Sequence, residues 1–243
     1  MKDISIVAGP ASYELSKLLA NKLDLPLYTF ELKTFPDGES KLTLRDSLPT
    51  KEILLIQSTY PPVDTHWMQL FFMLDYLSDK KITLIVPYFG YARQDKEFLK
   101  GEVVSLKVIA NLLSHFNLEK ILTLDFHNEK ALNYFKLPVF NLSTTQLLAD
   151  YARKNFELEN SLCASPDLGG SIRVKNFSDL LNLPNLILEK YRDRVTGEVT
   201  IKDLNLDLSG KNIIIIDDII STGSSLLKAT KFFKERGARR VYA

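Results

Sequence analysis

Short runs of Ile, Leu and Val recur along the chain and alternate with longer amphipathic stretches, and this alternation restricts the possible folds more than any other feature. Several runs are continuously apolar, which is typical of parallel strands that are covered on both faces. The longer stretches repeat their apolar residues at helical spacing. Strands that alternate with helices predict parallel sheets with right-handed crossovers. The predicted strands are residues 4–8, 52–58, 82–87, 120–125, 162–165, 185–189, 212–217 and 240–242.

Two stretches depart from this pattern and predict antiparallel hairpins. In residues 32–44, the turn residues Pro36, Asp37 and Gly38 lie between strand-like flanks. In residues 190–203, the sequence Arg-Val-Thr-Gly is typical of a hairpin tip. The chain is therefore expected to contain two short antiparallel additions to its parallel sheets.

A domain boundary is predicted near residues 141–145, where Ser143, Thr144 and Thr145 can cap the next helix. No linker of low complexity and no repeat of fixed period interrupts the chain. We therefore expect two sequential α/β domains, residues 1–142 and 143–243, each with a mostly parallel sheet flanked by helices.

The composition indicates a globular protein without a general affinity for polyanions. The chain has 45% hydrophobic and 25% charged residues, and its formal net charge of +1 gives no reason to bind nucleic acid or an anionic membrane. No stretch reaches the roughly 18 apolar residues of a membrane span, and the N-terminus lacks the layout of a signal peptide. A cytoplasmic protein is expected. The single cysteine, Cys163, excludes an intramolecular disulfide and a thiolate zinc cluster.

The segment 212–226 carries the clearest functional signal. An apolar strand ends in Asp217 and Asp218, and a turn of small hydroxyl residues and Gly leads into a helix. Ligands of open α/β sheets bind beyond the carboxyl ends of strands, and a helix N-terminus can hold a phosphate dianion. The carboxylates repel phosphate, but they accept hydrogen bonds from vicinal sugar hydroxyls or hold a divalent metal. Donors for phosphate beside acceptors for a diol predict a ribose 5-phosphate site at Asp217, Asp218, Ser221, Thr222, Gly223, Ser224 and Ser225.

This loop resembles the phosphoribosyl diphosphate-binding loop of the type I phosphoribosyltransferase fold. The first half of the chain narrows the resemblance to the ribose-phosphate pyrophosphokinase family, whose members are also called phosphoribosyl diphosphate synthetases. The matching segments occur in the family's order across almost the whole chain. They are FPDGE at 35–39, QST at 57–59, PYFGYARQDK at 87–96, LDFH at 124–127, SPDLGG at 165–170, EKYR at 189–192 and DDIISTGSS at 217–225.

The resemblance implies that ATP gives its β,γ-diphosphoryl group to the anomeric hydroxyl of ribose 5-phosphate and leaves AMP. Such transfers need alignment of the reactants and cations against the charge on the phosphoryl oxygens. The family places its catalytic lysine at Lys190 and a contact to ribose 5-phosphate or to the transition state at Arg192. Lys190 and Arg192 are separated by one residue, so on a strand they face the same side.

The resemblance also implies the ATP site, the metal and the oligomeric state. Mg²⁺ is the expected cofactor, with His127 and Asp167 as its contacts. In the family the turn at 35–39 reaches into the site of a neighbouring subunit, which implies a homo-oligomer, and residues 95–101 suit a lysine-bearing lid. The expected ATP-binding residues are Phe35, Asp37, Gly38, Glu39, Arg93, Gln94, Asp95 and His127.

The chain departs from the family pattern at a few positions. Ser221 stands where many bacterial members have a third Asp, and Ser224 is expected to restrict the backbone more than Gly would. The sequence ends at Tyr242-Ala243, earlier than other members, so it is either a fragment or a naturally short member whose second domain is shortened at its C-terminus.

Two other functions remain open at this stage. A phosphoribosyltransferase that consumes phosphoribosyl diphosphate shares the Asp217 loop but has no use for residues 35–39 and 93–95. A regulatory, non-catalytic paralogue would bind nucleotide without turnover. A covalent mechanism through Cys163 and His127 is disfavoured, because Cys163 lies inside a strand-like run and resembles a small apolar residue.

Overall fold

The structure is a computed structural model that describes residues 3–188, 190–192, 199–201 and 207–243, and it gives only the backbone of 190–192 and 199–201. It divides into two compact units, Met1–Leu142 and Ser143–Ala243. The predicted α/β class is confirmed, because each unit contains a parallel sheet flanked by helices.

The first unit is built on a seven-stranded sheet. Its strands are β1 (Ile4–Ala8), β2 (Leu27–Thr34), β3 (Ser40–Leu44), β4 (Glu52–Ile56), β5 (Lys81–Val86), β6 (Leu118–Leu124) and β7 (Val139–Leu142). Their order across the sheet is β3-β2-β1-β4-β5-β6-β7. Only β2 and β3 pair in antiparallel fashion, which confirms the predicted hairpin in residues 32–44.

Helices cover this sheet on both faces. They are α1 (Tyr13–Leu23), α2 (Val63–Tyr76) and α3 (Ser105–Leu113). Ala20 of α1 packs with Ile6 and Ile56, whereas α2 and α3 belong to a separate, larger core that includes Trp67 and Leu106. The chain passes from β1 to β2 in one direction and from β4 to β6 in the other, so the strand order reverses between β1 and β4.

The second unit contains a smaller sheet. Its elements are α4 (Thr145–Asn155), β8 (Ser161–Ser165), α5 (Ser171–Leu181), β9 (Asn185–Ile187), β10 (Lys190–Arg192), β11 (Val199–Ile201), β12 (Asn212–Ile215), α6 (Ser224–Glu235) and β13 (Arg240–Tyr242). Four parallel strands lie in the order β13-β12-β8-β9, and β10 pairs with β11 in a separate antiparallel ribbon. The predicted hairpin is thereby confirmed in its two strands, while its tip at residues 194–197 lies outside the described residues.

The core of this unit also has two layers. Residues of α4 and α5 pack with Cys163 and Ile214, and residues of α6 pack with Ile213 and Ile215. Burial raises the pKa of Cys163 to about 12, so its thiol stays protonated at neutral pH and offers no nucleophile.

Some element boundaries differ from the sequence-based expectation. β12 ends at Ile215, two residues before the predicted end, although the N–H of Ile216 still donates to the carbonyl of Ala164 at 2.9 Å. α4 begins at Thr145, within the predicted capping segment, and the Ser143 hydroxyl accepts the Thr145 N–H at 3.2 Å. Within the described residues, no helix combines the length and the apolar character of a membrane span.

Candidate active site

The second unit offers a ligand site where its strand order reverses. From β8 the chain continues through α5 to β9 at one edge, and from β12 it continues through α6 to β13 at the other. Open α/β sheets bind ligands outside the carboxyl ends of their strands at such a reversal. Because β8 and β12 are neighbours, the segments that follow them bring Asp167 to the same sheet edge as Asp217 and Asp218.

Two adjacent carboxylates dominate this edge. Asp217 and Asp218 are both partly buried, and Asp217 Oδ1 accepts a hydrogen bond from the backbone N–H of Asp218 at 3.0 Å. Burial, a side-chain hydrogen bond with Asp218 and the negative charges of Asp218 and Asp167 raise the pKa of Asp217 to about 6. The crevice therefore holds surplus negative charge, which suits hydroxyl donors or a divalent cation.

Arg173 joins this group, and the sequence analysis missed it. Its Nη2 lies 3.7 Å from Asp218 Oδ2, and the two side chains are only 17% and 8% exposed. Arg173 lies in the first turn of α5, which follows β8. A basic residue in the first turn of that helix is the signal that could have identified it, since the strand reversal brings this turn close to the end of β12.

The predicted phosphate loop leads directly into α6. Gly223 precedes the helix with a φ of +74°, so the positive φ falls on Gly and the following Ser224 is helical. The expected restriction at Ser224 therefore does not arise. Thr222 Oγ1 accepts the N–H of Ser224 at 3.4 Å and lies 2.9 Å from its hydroxyl oxygen. The first N–H groups of a helix have no partner within it, and these lie beside exposed hydroxyls. The hydroxyl residues are Ser221, Thr222, Ser224 and Ser225.

Asp167 combines a structural role with its place in the crevice. Its Oδ1 accepts the N–H of Gly169 at 3.0 Å and so caps the short 3-10 helix Leu168–Gly170. A Cβ at Gly170 would lie 2.2 Å from Ser165 Oγ, so this position of the turn has room only for glycine. In the described ranges, no three His, Cys, Asp or Glu side chains are grouped so that they could hold a metal ion.

In the first unit, the loop after β5 carries Arg93 and Gln94. Arg93 is exposed, and Gln94 Nε2 lies 3.5 Å from Glu102 Oε2. The same Glu102 oxygen accepts the N–H groups of Leu99 and Phe98, and these two hydrogen bonds lower the pKa of Glu102. The predicted lid, residues 95–101, is thus folded around the Glu102 carboxylate. The same carboxylate also contacts Gln94, a predicted ATP-binding residue.

The loop after the next strand carries His127, which is exposed at the carboxyl end of β6. Its neighbour Asn128 donates from Nδ2 to Asp95 Oδ2 at 2.5 Å. Because β5 and β6 are adjacent and parallel, Arg93, Gln94, Asp95 and His127 are grouped at one edge of the first sheet. The two predicted metal contacts, His127 and Asp167, belong to different units.

The predicted adenine-binding turn lies at the tip of the β2–β3 hairpin. The N–H of Phe35 donates to the carbonyl of Glu39 at 2.9 Å, and Asp37 Oδ1 accepts the N–H of Glu39 at 3.1 Å. Gly38 has a φ of +94°, which the tight turn requires. All five residues of the turn are exposed, and in the sheet order β1 and β4 separate their hairpin from β5.

The predicted catalytic pair lies on β10. In the β10–β11 ribbon, Lys190 pairs with Ile201 and Arg192 pairs with Val199. The side chains of Lys190 and Arg192 lie outside the described part of the structure, so their catalytic roles stay predictions.

Both units of the chain resemble known proteins. Residues 4–116 match the family model of the N-terminal domain of ribose phosphate pyrophosphokinase, and residues 133–243 match that of the phosphoribosyl transferase domain. Ribose-phosphate pyrophosphokinase of Sulfurisphaera tokodaii is 40% identical over 240 residues, which cover 97% of this chain and 82% of that protein. The Pasteurella multocida protein of the same name is 35% identical over 248 residues, covering 100% and 78%.

A solved structure shares the fold of nearly the whole chain. Phosphoribosylpyrophosphate synthetase from Mycobacterium smegmatis superposes with a TM-score of 0.87 at 28% identity, over 99% of this chain and 79% of that one. The two matched domains follow one another in the order that the sequence motifs predict. The chain therefore belongs to the ribose-phosphate pyrophosphokinase family.

Proposed function

We propose that this protein transfers the β,γ-diphosphoryl group of ATP to the anomeric hydroxyl of ribose 5-phosphate, giving 5-phosphoribosyl 1-diphosphate and AMP. The observation that carries the proposal is the loop from Asp217 to Ser225 at the strand reversal of the second unit. The loop supports the proposal because carboxylates that suit a diol and hydroxyls that suit a phosphate follow one another in a chain that belongs to this family. No observation on the described residues favours a phosphoribosyltransferase or a non-catalytic paralogue.

The ribose 5-phosphate would bind across the crevice. Asp217 and Asp218 accept hydrogen bonds from its hydroxyls, and Asp217 is ionised for this role above its pKa of about 6. The 5′-phosphate lies against the hydroxyls and amides at the start of α6. Arg173 holds the Asp218 carboxylate while the sugar binds.

In the transfer, the anomeric oxygen bonds to the β-phosphorus of ATP and loses its proton, while the bond from that phosphorus to the AMP oxygen breaks. Lys190 and Arg192 neutralise the diphosphoryl oxygens as charge shifts between them. Arg93, Gln94 and His127 hold the nucleotide from the edge of the first sheet. A binding site that aligns two anionic substrates accounts for much of such a rate enhancement.

Mg²⁺ fits the residues that are present. The surplus negative charge around Asp167 and Asp217 favours a cation, and Mg²⁺ takes a few protein ligands together with water and substrate phosphates. Asp167 would contact it in the second unit, His127 stays a predicted contact of Mg–ATP in the first unit, and the ion would supply positive charge against the phosphoryl oxygens. Because ATP is the donor, we also propose a cytoplasmic protein.

A homo-oligomer is part of the proposal. The exposed turn that contains Phe35 is suited to complete the nucleotide site of a neighbouring copy, because Phe35 is 36% exposed at the end of a projecting hairpin. Lys33 Nζ lies 5.2 Å from the ring centroid and adds a positive charge beside it.

The test measures AMP formed from ATP and Mg²⁺ with and without ribose 5-phosphate. We expect formation that depends on the sugar, and its absence would contradict the proposed reaction. Lys190→Ala should lower kcat by at least about 100-fold and leave the affinity for ATP nearly unchanged, because the charge acts mainly in the transition state. Lys22→Ala, an exposed change in the last turn of α1, is the control and should leave both unchanged.

A further inference from the structure

Two neighbouring loops of the first unit carry the residues proposed to hold ATP. β5 and β6 pair in parallel up to Val86 and Thr123, so the loops that follow them leave the sheet side by side. The first loop carries Arg93 and Gln94, and the second carries His127. A shared nucleotide requires a fixed spacing between these loops, and the hydrogen bonds that set it can be identified.

A buried carboxylate lies between the two loops. The Asp95 residue is only 5% exposed, and its Oδ2 accepts the 2.5 Å hydrogen bond from Asn128 Nδ2. Its backbone carbonyl accepts a second hydrogen bond from the Tyr134 hydroxyl at 2.9 Å. A carboxylate removed from water needs such partners, and little of Asp95 is left to meet a ligand. Asp95 therefore joins the loop after β5 to the segment after β6.

Asn128 is itself fixed in place. Its Oδ1 accepts the N–H of Lys130 at 3.2 Å and caps the 3-10 helix Glu129–Tyr134. On the other side of His127, Asn141 Oδ1 accepts the N–H of Phe126 at 2.8 Å. His127 thus lies between two residues that hydrogen bonds hold, although it is exposed itself.

We infer that Asp95 and Asn128 form a positioning pair, which sets the distance between Arg93–Gln94 and His127 and so shapes the ATP site. The inference rests on the proposed function and replaces a direct contact between Asp95 and ATP. An amide is the fitting partner, because Asn128 donates to the carboxylate with Nδ2 while Oδ1 accepts the Lys130 N–H. A carboxylate at position 128 would set two acceptors against each other, and an alanine would leave Asp95 buried without this donor.

The first experiment measures KM for each substrate separately. Asn128→Asp should raise KM for ATP by roughly tenfold, since a buried hydrogen bond to a charged group is replaced by repulsion. KM for ribose 5-phosphate should stay within about twofold, because that substrate binds the second unit. An unchanged KM for ATP, or equal increases for both substrates, would overturn the inference.

The second experiment reverses the pair. In the double variant Asp95→Asn with Asn128→Asp, the new amide can donate to the new carboxylate, and Asp is also a good cap for the following helix. KM for ATP should return to within about threefold of the wild-type value, although Asp95→Asn alone raises it. If Asp95 instead contacted ATP through its own charge, the reversal would give no rescue, and that result contradicts the positioning role.

A matched control separates positioning from general stability. Asn117 also lies in the first unit, and its Nδ2 donates to the carbonyl of Lys80 at 2.9 Å, at the opposite end of β6. Asn117→Ala should lower the unfolding midpoint without changing KM for ATP. If Asn117→Ala weakened ATP binding as much as Asn128→Asp does, the effect of Asn128→Asp would be merely structural.

Calorimetric titration with a non-hydrolysable ATP analogue makes the inference independent of turnover. If the wild-type protein forms no AMP in a sugar-dependent way, the proposed reaction fails. The inference is then decided by binding alone. Analogue binding that Asn128→Asp weakens and the reversed pair restores supports it, whereas equal affinities, or no binding to the wild type, overturn it.

Discussion

Both units reverse their strand order once, but they fill the resulting crevice in opposite ways. In the first unit the reversal lies between β1 and β4, and in the second it lies between β8 and β12. Topology alone predicts a ligand at each of these places. The first crevice is closed by neutral side chains of the protein, whereas the second is lined by carboxylates and exposed hydroxyls. Strand order thus decides where a ligand can bind, and side-chain chemistry decides whether one is needed.

The closed crevice is built around Gln57. This side chain is fully buried, and its Oε1 accepts the N–H of Ala11 at 3.1 Å. Ser12 Oγ accepts the N–H of Ser58 at 2.7 Å, which joins the loops after β1 and β4. A Cβ at Gly9 would lie 2.2 Å from Gln57 Oε1, so glycine is required for space. These groups are neutral and leave no unmet charge for a ligand, although Gln57 Nε2 is buried without a hydrogen-bond partner among the described residues.

The open crevice stays open because its charges have the same sign. Asp217, Asp218 and Asp167 carry charges of the same sign and repel one another, and Arg173 pairs with Asp218. Hydroxyl donors of a sugar, or a metal ion, suit such a group of carboxylates. The comparison predicts that changes in the second crevice affect substrate binding or stability through its charges and its turn, whereas changes in the first affect stability and leave turnover nearly unchanged.

Among changes in the two crevices, the largest expected effect is that of Asp218→Asn in the second. A hydrogen bond to a charged group contributes about 1.5–3 kcal/mol, so kcat/KM for ribose 5-phosphate should fall by roughly 10- to 100-fold. KM for ATP should change little. Asp207→Asn is the matched control, since Asp207 lies in the same unit and accepts a hydrogen bond from the N–H of Ser209. A fall of less than threefold for Asp218→Asn, or an equal fall for the control, would contradict the assignment.

Gly9→Ala tests the first crevice. The added methyl group meets Gln57 Oε1, and overpacking of this kind costs about 1–3 kcal/mol in the free energy of unfolding. Trp67, the single tryptophan, lies in this unit, so its fluorescence reports the urea-induced transition. Sugar-dependent turnover per folded molecule should stay within about twofold.

The Gln57→Ala background shows whether the clash is the cause. There Gly9→Ala should cost clearly less, because the opposing side chain has been shortened. An equal cost in both backgrounds would mean that Gly9 serves another purpose than space.

Sequence patterns were sufficient for the parts of this comparison that are local. The apolar run before Asp217 predicted a buried strand, and the acid-then-hydroxyl order after it predicted the loop and the start of α6. The same holds for the β2–β3 hairpin, because Pro36, Asp37 and Gly38 define its turn within one short segment. Such signals arise from residues that are neighbours in sequence, so they can be recognised in a single sequence.

Partners that are distant in sequence could not be predicted in the same way. Arg173 meets Asp218, and Asn128 meets Asp95 across 33 positions, only because adjacent strands place their loops together. Gln57 gave no local sign that it would fill a crevice. Each of these contacts needs the strand order first, and neither periodicity nor composition determines strand order.

The Asp217→Asn variant tests whether repulsion among the carboxylates of the second crevice lowers the free energy of unfolding. The pKa of Asp217 is raised from 3.8 to about 6, so between these values the folded state binds more protons than the unfolded state. Raising the pH through this range therefore lowers stability, and Asn should remove that cost. After allowance for solvent screening, we expect a gain of about 1 kcal/mol at pH 7.5 and little gain near pH 4, without substrate or Mg²⁺.

Urea unfolding at the two pH values measures this difference. Asp207→Asn should show no such gain, because hydrogen bonds from Ser209 lower the pKa of Asp207 and make its charged form favourable. If Asp217→Asn raised the free energy of unfolding equally at both pH values, repulsion among the carboxylates would not be the cause.

The smallest expected effect comes from Gly223→Ala, which separates the two reasons for glycine in the two crevices. Gly9 has an ordinary φ of −77° and lacks space, whereas Gly223 has a φ of +74° and nothing within 4 Å of an added Cβ. The left-handed conformation costs an alanine about 1 kcal/mol, part of which the loss of freedom in the unfolded chain offsets. The unfolding free energy should fall by less than about 1 kcal/mol. If the variant relaxes Gly223 towards a negative φ, KM for ribose 5-phosphate should rise with no change in KM for ATP, since the turn presents the phosphate donors of α6. Unchanged stability and unchanged KM together would mean that the positive φ is not needed for phosphate binding.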